Sequence, residues 1–536
     1  MAVITSVSNM KVLIVDDMPE IRKQLQMSLG TLGFEKLQVV SNIKEAMERI
    51  TSIRFDVILC DYNLGDGTNG QQLLEYLRTN DLLPRNCLFI MITAENSYES
   101  VVTAAECMPD DYLLKPFTAG QFLARFEKLL ERKILLETID TAHDKRNWFK
   151  VINECDRILT LKNKYYIDIC KIKAATLMLI DRAEEASKIY NEVLKIRELP
   201  WAQLGLARAK AKLGNFELSR EISSKLMQDH PHFVANFDFM SELLMHDNQP
   251  ELALETLKQA SAICPSNLNR TRHLGAMAIA NGEHAEAEAL LAKTLKKHRH
   301  SPVRQAADYA LLSRALSEQN KTKEALTALK EASSHFQDEY SSIVIAASKS
   351  IAHNKAGNHE EAEKELNKAL AGNTKVLPPA ISAALAEACF VGGKEEVANT
   401  LLKQILQNNP DDIRLQSRVK MVCASVGKSI SESIALIQES SKEIIKINNE
   451  GVSKAKAGQY KEAIELIISA AERLPNNLSI ISNAALILAA SIANSDVTED
   501  MLKLCLQYRQ RVVDLNPDHP KLSQIDSMLK KTKELA

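Results

Sequence analysis

The chain has 536 residues, 45% of them hydrophobic, with 67 Lys and Arg residues against 69 Asp and Glu residues. This length exceeds one ordinary hydrophobic core and predicts several domains or a repeat array. The net charge of -2 excludes a global positive field for nucleic acid or for an anionic membrane surface.

The cysteines and the amino terminus indicate the compartment. The nine cysteines are scattered and form no Cys-x-x-Cys pair, which favours a reducing compartment over a disulfide or zinc framework. The first residues, MAVITSVSNM, lack the basic start and apolar core of a signal peptide. The most apolar later stretch, residues 480–493, is too short to span a bilayer. We therefore expect a cytoplasmic protein without membrane insertion.

The first 130 residues alternate strand and helix patterns. Apolar runs predict five strands, at Lys11–Val15, Leu37–Val40, Phe55–Cys60, Cys87–Ile92 and Tyr112–Leu114. Helical spacing predicts helices at Ile21–Leu32, Ile43–Ile50, Gln71–Leu77, Tyr98–Ala105 and from Thr118 onward. This alternation predicts an α/β, doubly wound sheet of five parallel strands.

Polar residues follow the apolar runs of four of these strands, namely Asp16, Asp17, Asp61, Thr93 and Lys115. A single Asp at a strand end is usually a cap or turn residue. Because the carboxyl ends of parallel strands lie at one edge of the sheet, these five side chains should converge. Three carboxylates in one pocket require a cation, and oxygen ligands suit a hard divalent ion such as magnesium. A metal-bound carboxylate can act as a nucleophile toward phosphate, with Lys115 and Thr93 holding the phosphoryl oxygens.

Residues 10 to about 130 resemble the receiver domain of two-component response regulators, which has the flavodoxin-like fold. The matching residues are Asp16 and Asp17, Asp61, Thr93 with Ala94, Tyr112, and Lys115 with Pro116. The resemblance implies that Asp61 is the phosphoacceptor for a histidine kinase or phosphotransfer protein. It implies no enzymatic activity beyond the domain's own phosphotransfer and dephosphorylation.

The same resemblance implies roles for the surrounding residues. Magnesium, or another divalent cation, would be held by Asp16, Asp17, Asp61 and the backbone carbonyl of Asn63. Thr93 and Lys115 would contact the phosphoryl group, and Thr93 and Tyr112 would form the switch. The Lys115–Pro116 peptide bond is expected to be cis.

A repeating signature of small residues occupies the rest of the chain, at Ala186, Ser219, Ala253, Ala287, Ala325, Ala362, Ala398 and Ala463. The successive gaps are 33, 34, 34, 38, 37, 36 and 65 residues. Glycines lie five residues before several of them, at Gly214, Gly282, Gly357, Gly393 and Gly458. Prolines lie twelve residues after several of them, at Pro231, Pro265, Pro410 and Pro475. The pattern predicts stacked antiparallel helix pairs, with longer loops or helices near residues 299–305 and 333–345.

This spacing resembles tetratricopeptide repeats, which implies an all-α solenoid with a groove for a protein or peptide partner. The clearest copy is EGVSKAKAGQYKEAIELIISAAERLP, residues 450–475. The expected domains are a receiver at 1–130, a connecting helix or linker at 131–146, and the solenoid at 147–536. A break is expected near 411–449, where helical pattern continues without the signature. The combination resembles regulators of the VieB type.

Two features leave alternatives open. Residues 128–143 form either a helix shared by the receiver and the first repeat or part of a flexible joint. The basic cluster Lys296–His300 reads as a solvated helix end rather than a nucleic-acid patch.

The expected function is phosphorylation-controlled binding or release of a protein partner by the repeat array, which would inhibit or sequester another signalling protein. No DNA-binding output is expected. The alternatives are a constitutive repeat scaffold localised by its receiver, and a phosphate sink that competes for a shared kinase. A homodimer is also compatible with the sequence.

Overall fold

The computed structural model describes residues 7–65, 69–93, 109–161, 163–265, 267–372, 377–410, 412–494, 499–516 and 519–533. The chain divides into two compact units. The first comprises residues 1–239, 257–271 and 292–304, and the second comprises residues 240–256, 272–291 and 305–536. Among the described helices, no stretch combines the length and the hydropathy needed to cross a bilayer.

The first unit contains a five-stranded parallel sheet. Its strands are β1 (Lys11–Val15), β2 (Lys36–Val40), β3 (Val57–Asp61), β4 (Leu88–Thr93) and β5 (Asp111–Leu114). They are ordered β2-β1-β3-β4-β5, and every neighbouring pair is parallel. The predicted doubly wound receiver fold is therefore confirmed.

Helices cover both faces of this sheet. They are α1 (Pro19–Thr31), α2 (Ile43–Ser52), α3 (Gly70–Thr79) and α4 (Ala119–Asp144). The helix predicted at 98–105 lies outside the described residues. Val12 and Ile14 of β1 pack with α1 and α4 in one hydrophobic cluster. The alternate residues Leu13 and Val15 pack with α2 and α3 in another. Burial on both faces explains why the strands read as continuous apolar runs.

Helix α4 continues well beyond the sheet. It starts at a capping box in which the Thr118 hydroxyl accepts from the Gln121 N–H and the Gln121 side chain accepts from the Thr118 N–H. It then runs for 26 residues without interruption. Of the residues 131–146 that were expected to connect the two domains, 131–144 thus form the second half of one helix, not a flexible joint, and Arg146 lies in the turn that follows.

The rest of the described chain is helical. The helices are α5 (Trp148–Leu159), α6 (Tyr166–Leu179), α7 (Ala183–Ile196), α8 (Pro200–Lys212), α9 (Phe216–Asp229), α10 (Val234–His246), α11 (Pro250–Ile263), α12 (Leu268–Ala280), α13 (His284–Lys297), α14 (Ala306–Glu318), α15 (Thr322–His335), α16 (Glu339–Lys355), α17 (His359–Leu370), α18 (Pro379–Val391), α19 (Glu395–Asn408), α20 (Ile413–Ser425), α21 (Ile430–Lys456), α22 (Tyr460–Arg473), α23 (Leu478–Asn494), α24 (Glu499–Leu515) and α25 (Lys521–Lys533). This is the long all-helical region, resembling a tetratricopeptide-repeat solenoid, that the signature predicts.

Left-handed residues mark the turns within ten helix pairs of the described chain. They are Arg146, Asp181, Gly214, Asn248, Gly282, Asn320, Gly357, Gly393, Gly427 and Gly458, with φ between +52° and +81°. The residue after each donates its N–H to a carbonyl five residues earlier, as Asn215 does to Lys210 and Gln459 to Lys454. This arrangement is the Schellman motif, which satisfies carbonyls at a helix end. All five glycines predicted to break helix pairs lie at such turns.

The small residues of the signature lie at the helix contacts. All eight, from Ala186 to Ala463, are at most 1% exposed. The lengthened segments are also observed: residues 298–305 connect α13 to α14, and α16 has 17 residues. The sequence spacing therefore reports the packing of the pairs.

The segment without the signature, 411–449, is also a helix pair. Gly427 forms its turn, with φ +78°, between α20 and α21. The small residue is shifted by one position to Ser433, which is 1% exposed. Helix α21 has 27 residues, and its two halves pack in different clusters, Leu436 in one and Ile444 in the next. It therefore serves as the second helix of one pair and the first helix of the next.

Candidate functional site

Asp61 is the last residue of β3, the central strand of the sheet. β3 pairs with β1 on one side and β4 on the other, and the Tyr62 N–H donates to the Ile92 carbonyl at 2.7 Å. Asp61 is 8% exposed. Its carboxylate therefore lies at the edge formed by the carboxyl ends of the strands, partly shielded from water.

Two further acidic residues follow the neighbouring strand β1. Oxygens of Asp16, Asp17 and Asp61 all lie within 4.8 Å of one another. Asp16 is buried, and its Oδ1 accepts from the Met18 N–H at 2.9 Å, whereas Asp17 is exposed. The predicted convergence of the three carboxylates is observed.

Lys115 supplies positive charge to this cluster. Its ammonium lies 2.8 Å from Asp16 Oδ2 and 3.2 Å from Asp61 Oδ2. Its backbone N–H donates to the Thr93 carbonyl at 2.7 Å, and the following bond to Pro116 is cis. One cation thus bridges two of the three carboxylates.

The pKa of Asp61 is raised to about 6, chiefly because the carboxyl group is buried. Lys115 opposes this rise, and the negative charges of Asp16 and Asp17 reinforce it. Burial disfavours the charged form of Lys115, but hydrogen bonding to Asp16 and the charge of Asp61 prevail and raise its pKa. A single ammonium therefore does not fully balance the acidic cluster.

The loop after β3 brings the backbone close to the acidic cluster. Gly65 has φ +68°, and a Cβ there would lie 3.1 Å from Asp17 Oδ2. The Gly65 N–H donates to Asn63 Oδ1 at 3.3 Å, and Asn63 forms a β-bridge with Asn69. A set of carboxylate oxygens with an uncompensated charge fits a hard divalent cation, so the cluster could hold one.

Thr93 and Tyr112 lie on the same face of the sheet. Thr93 ends β4 and is 6% exposed, and Met91, two residues earlier, is the register partner of Tyr112 on β5. Because side chains alternate along a strand, Thr93 shares the face of Met91. Tyr112 packs with the cluster on that face. The residues directly after Thr93 lie outside the described part of the chain.

Two residues not selected from the sequence also position the acidic residues. The Arg22 guanidinium donates to the Asp16 carbonyl at 2.6 Å. Gly70, the first residue of α3, approaches Asp61 so closely that a Cβ would lie 2.4 Å from the Asp61 carbonyl oxygen. The sequence signal for Gly70 is its position directly after the helix cap Asn69, whose side chain accepts from the Gln72 N–H.

Comparison with known proteins identifies the first domain. The family model of the response regulator receiver domain matches residues 12–127. The chain is 34% identical over 124 residues to the chemotaxis protein CheY-3 of Vibrio cholerae, covering 23% of this chain and 94% of that protein. It is 32% identical over 123 residues to the chemotaxis protein CheY of Pseudomonas aeruginosa, covering 23% and 98% of the two chains.

The helical region is similar to a solved tetratricopeptide repeat protein from Parabacteroides merdae. The likeness has 13% identity and a TM-score of 0.34, and it covers 47% of this chain and 96% of that one. The repeats are recognised here by their own signature and turns. Through its residues 12–127, the chain belongs to the response regulator receiver family.

Proposed function

We propose that Asp61 accepts a phosphoryl group from a histidine kinase or phosphotransfer protein, and that the helical region binds or releases a protein partner in response. The observation that carries this proposal is the cluster of Asp16, Asp17 and Asp61, in which the Lys115 ammonium contacts Asp16 and Asp61. A receiver implies an upstream phosphodonor, and a stack of helix pairs offers surfaces suited to protein recognition.

In the proposed transfer, an Asp61 carboxylate oxygen attacks phosphorus, the phosphorus–nitrogen bond of a phosphohistidine breaks, and an acyl phosphate forms. The Lys115 ammonium, 3.2 Å from Asp61 Oδ2, would neutralise charge on the transferred oxygens. Thr93 would donate its hydroxyl to the phosphoryl group, and Tyr112 would respond with Thr93 as the switch.

A divalent cation such as Mg²⁺ would be held by Asp16, Asp17, Asp61 and the backbone carbonyl of Asn63. When bound, it would offset the negative charge that the incoming phosphoryl group adds to the three carboxylates. The raised pKa of Asp61 supports this part of the proposal, because burial, reinforced by the charges of Asp16 and Asp17, disfavours the ionised carboxylate despite the Lys115 ammonium.

The phosphorylation step is tested by intact-mass measurement of the full chain after treatment with acetyl phosphate and MgCl₂. We expect one added phosphoryl group in the wild type and none in Asp61→Asn. Asp56→Asn is the control, because Asp56 precedes β3 at the opposite edge of the sheet. Equal incorporation in Asp61→Asn and wild type would contradict the assignment of Asp61.

The output is tested by affinity capture with and without beryllofluoride, which mimics the aspartyl phosphate. A partner whose recovery changes with the wild type but not with Asp61→Asn would support phosphorylation-controlled binding. Equal recovery in every condition would instead favour a constitutive scaffold.

A further inference from the structure

The receiver contacts the helical region directly at the amino end of α3. Gln72 Nε2 lies 2.8 Å from His298 Nδ1, although 226 residues separate the two in sequence. Both side chains are buried, at 5% and 4% exposure. A second contact follows one turn later, where Asn269 Nδ2 donates to Glu75 Oε1 at 3.2 Å. We call these contacts, between α3 and residues 268–303, the α3 contact.

The same end of α3 touches the backbone of Asp61. Gly70 fits there only because it has no Cβ, and its N–H donates to the Tyr62 carbonyl at 2.8 Å. Gln72 belongs to both arrangements: its Oε1 accepts from the Asn69 N–H in the capping box, while its Nε2 reaches His298. One helical turn thus connects the Asp61 backbone to the α3 contact.

The α3 contact is imperfectly packed. Gln71 is 5% exposed, and its Oε1 has no hydrogen-bond partner among the described residues. The side chain lines a cavity of about 10 Å³ together with Leu268, His298 and Val303, which is room for one water molecule at most. A buried amide oxygen without a partner costs free energy, so opening this contact is less unfavourable than its buried area suggests.

Among the described residues, a second attachment of the receiver runs through helix α4. Helix α4 runs without interruption from the sheet into the first helix pair. Three contacts join this helix and the turn after it to loops of the receiver. Lys133 donates to the Asp56 carbonyl, the Arg85 N–H donates to Asp144, and Arg146 pairs with Asp81. Because this attachment is a continuous helix, it would stay in place if the α3 contact opened.

From these observations we infer that the α3 contact is a latch between the receiver and the helical region, which opens when a phosphoryl group is added beside Asp61. The added charge and oxygen atoms favour a different position of the Asp61–Asn63 backbone. Because Gly70 is in direct contact with that backbone, α3 must move when the backbone moves. Helix α4 remains as the pivot. Opening uncovers Leu268 and Val303, which are 3% and 8% exposed when the latch is closed. Only the phosphorylation step of this inference rests on the proposed function.

Hydrogen exchange of the full chain, read by mass spectrometry over residues 69–79 and 298–305, tests the latch without phosphorylation. His298→Ala removes the acceptor for Gln72 and should accelerate exchange in both segments by about tenfold. His298→Asn keeps an acceptor near the position of Nδ1 and should restore slow exchange. His300→Ala is the matched control, because His300 is exposed in the same segment. Gln71→Met removes the unsatisfied oxygen at similar volume and should slow exchange below the wild-type rate.

Beryllofluoride with MgCl₂ tests the coupling to Asp61. We expect faster exchange in both segments of the wild type, no change in Asp61→Asn, and no further increase in His298→Ala. Equal exchange in His298→Ala and His300→Ala would overturn the latch itself. Phosphorylation detected by intact mass without faster exchange would overturn the coupling while leaving the phosphorylation of Asp61 intact. A receiver that takes no phosphoryl group would refute the proposed function, and the His298 comparison would still decide whether the latch exists.

Discussion

The carboxylate of Asp61 is ionised at a cost, because burial and the neighbouring charges of Asp16 and Asp17 favour its neutral form. At neutral pH the fold therefore holds an energetically unfavourable negative charge at the edge of the sheet. The Lys115 ammonium lowers this cost without removing it, and a bound cation would lower it further. This is the physical reason to expect cation binding and stability to be linked at this site.

Replacing Asp61 with Asn should stabilise the metal-free protein at neutral pH. A pKa raised from 3.8 to about 6 contributes stability that is present below pH 3.8 and lost as the pH rises through 6. Above that pH, Asp61→Asn should raise the free energy of unfolding by up to about 3 kcal/mol. Urea unfolding followed by hydrogen exchange of β3, in EDTA at pH 7.5 and at pH 4, measures the difference. The difference in the free energy of unfolding between Asp61→Asn and wild type should become smaller at pH 4 and on addition of MgCl₂. A difference that depends on neither would contradict the link between ionisation of Asp61 and stability.

Gly70→Ala should damage the site by sterics alone. A Cβ at Gly70 would lie 2.4 Å from the Asp61 carbonyl oxygen and 2.7 Å from Cys60 Sγ, so the backbone must shift. We expect a loss of about 1–3 kcal/mol in stability and slower phosphorylation by acetyl phosphate. Gly30→Ala is the control, because nothing lies within 4 Å of the added Cβ in helix α1. That change should stabilise the protein slightly, by about 0.5–1 kcal/mol; similar effects of the two substitutions would refute the steric argument.

The convergence of the acidic cluster was predictable because parallel strands align their carboxyl ends. Asp16, Asp61 and Lys115 each follow an apolar run, and the topology of a doubly wound sheet brings the ends of these runs to one edge. Gly70 and Arg22 were not predictable in the same way. Their roles depend on how closely a helix approaches a strand, and that distance leaves no periodic trace in the sequence.

Single helices of this protein perform two tasks at once. The second half of α4 packs Leu136, Ile139 and Ala142 against α5, while its charged residues reach receiver loops. Helix α21 similarly belongs to two consecutive pairs. Sharing a helix removes the freedom of a linker, so motion of one partner is carried into the other.

Ile139→Ala should weaken the junction between receiver and repeats, whereas Ile134→Ala should not. Ile139 is fully buried against α5, and Ile134, on the same helix, is 62% exposed. Loss of the buried side chain should cost about 2–4 kcal/mol, against less than about 0.5 kcal/mol for the exposed one. Hydrogen exchange over α4 and α5 checks this. Equal exchange in the two variants would mean that the second half of α4 is not packed on α5.

The turns between paired helices were only partly predictable from the local sequence. Glycine was recognised at five of them because it adopts positive φ readily. Asp181, Asn248 and Asn320 occupy equivalent turns with φ near +60°. Asn and Asp tolerate this region through local hydrogen bonds, but they are common elsewhere, so they carry a weaker signal. Gly427 does not fit the signature, because the small residue of its pair is shifted by one position to Ser433.

At the scale of the whole molecule, the receiver is not a structurally independent domain. Residues beyond the expected boundary at 130 bind the amino edge of its sheet, where Lys133 contacts Asp56 and Asp144 contacts the loop at Arg85. The receiver should therefore depend on the helix pair formed by α4 and α5.

A fragment of residues 1–161 should be more stable than one of residues 1–130. The longer fragment keeps the Lys133 and Asp144 contacts and covers the apolar face of α4 with α5. One partly buried and one exposed hydrogen bond, together with the apolar surface that α5 covers, correspond to about 1–3 kcal/mol. Urea unfolding of both fragments measures this difference. Equal midpoints would show that the receiver is complete at residue 130.

The pattern of apolar residues was enough to predict five strands, their winding and the edge where the acidic residues meet, and the spacing of small residues, glycines and prolines was enough to predict the helix pairs. Each of these follows from which face of a segment must be buried, and that requirement is written locally in the chain. Which surface covers that face is decided only when distant segments pack. His298 lies in a cluster that reads as a solvated helix end, yet it is buried against Gln72, 226 residues away in sequence. Such a contact depends on complementary shape between two folded surfaces, and no pattern in either segment encodes the other.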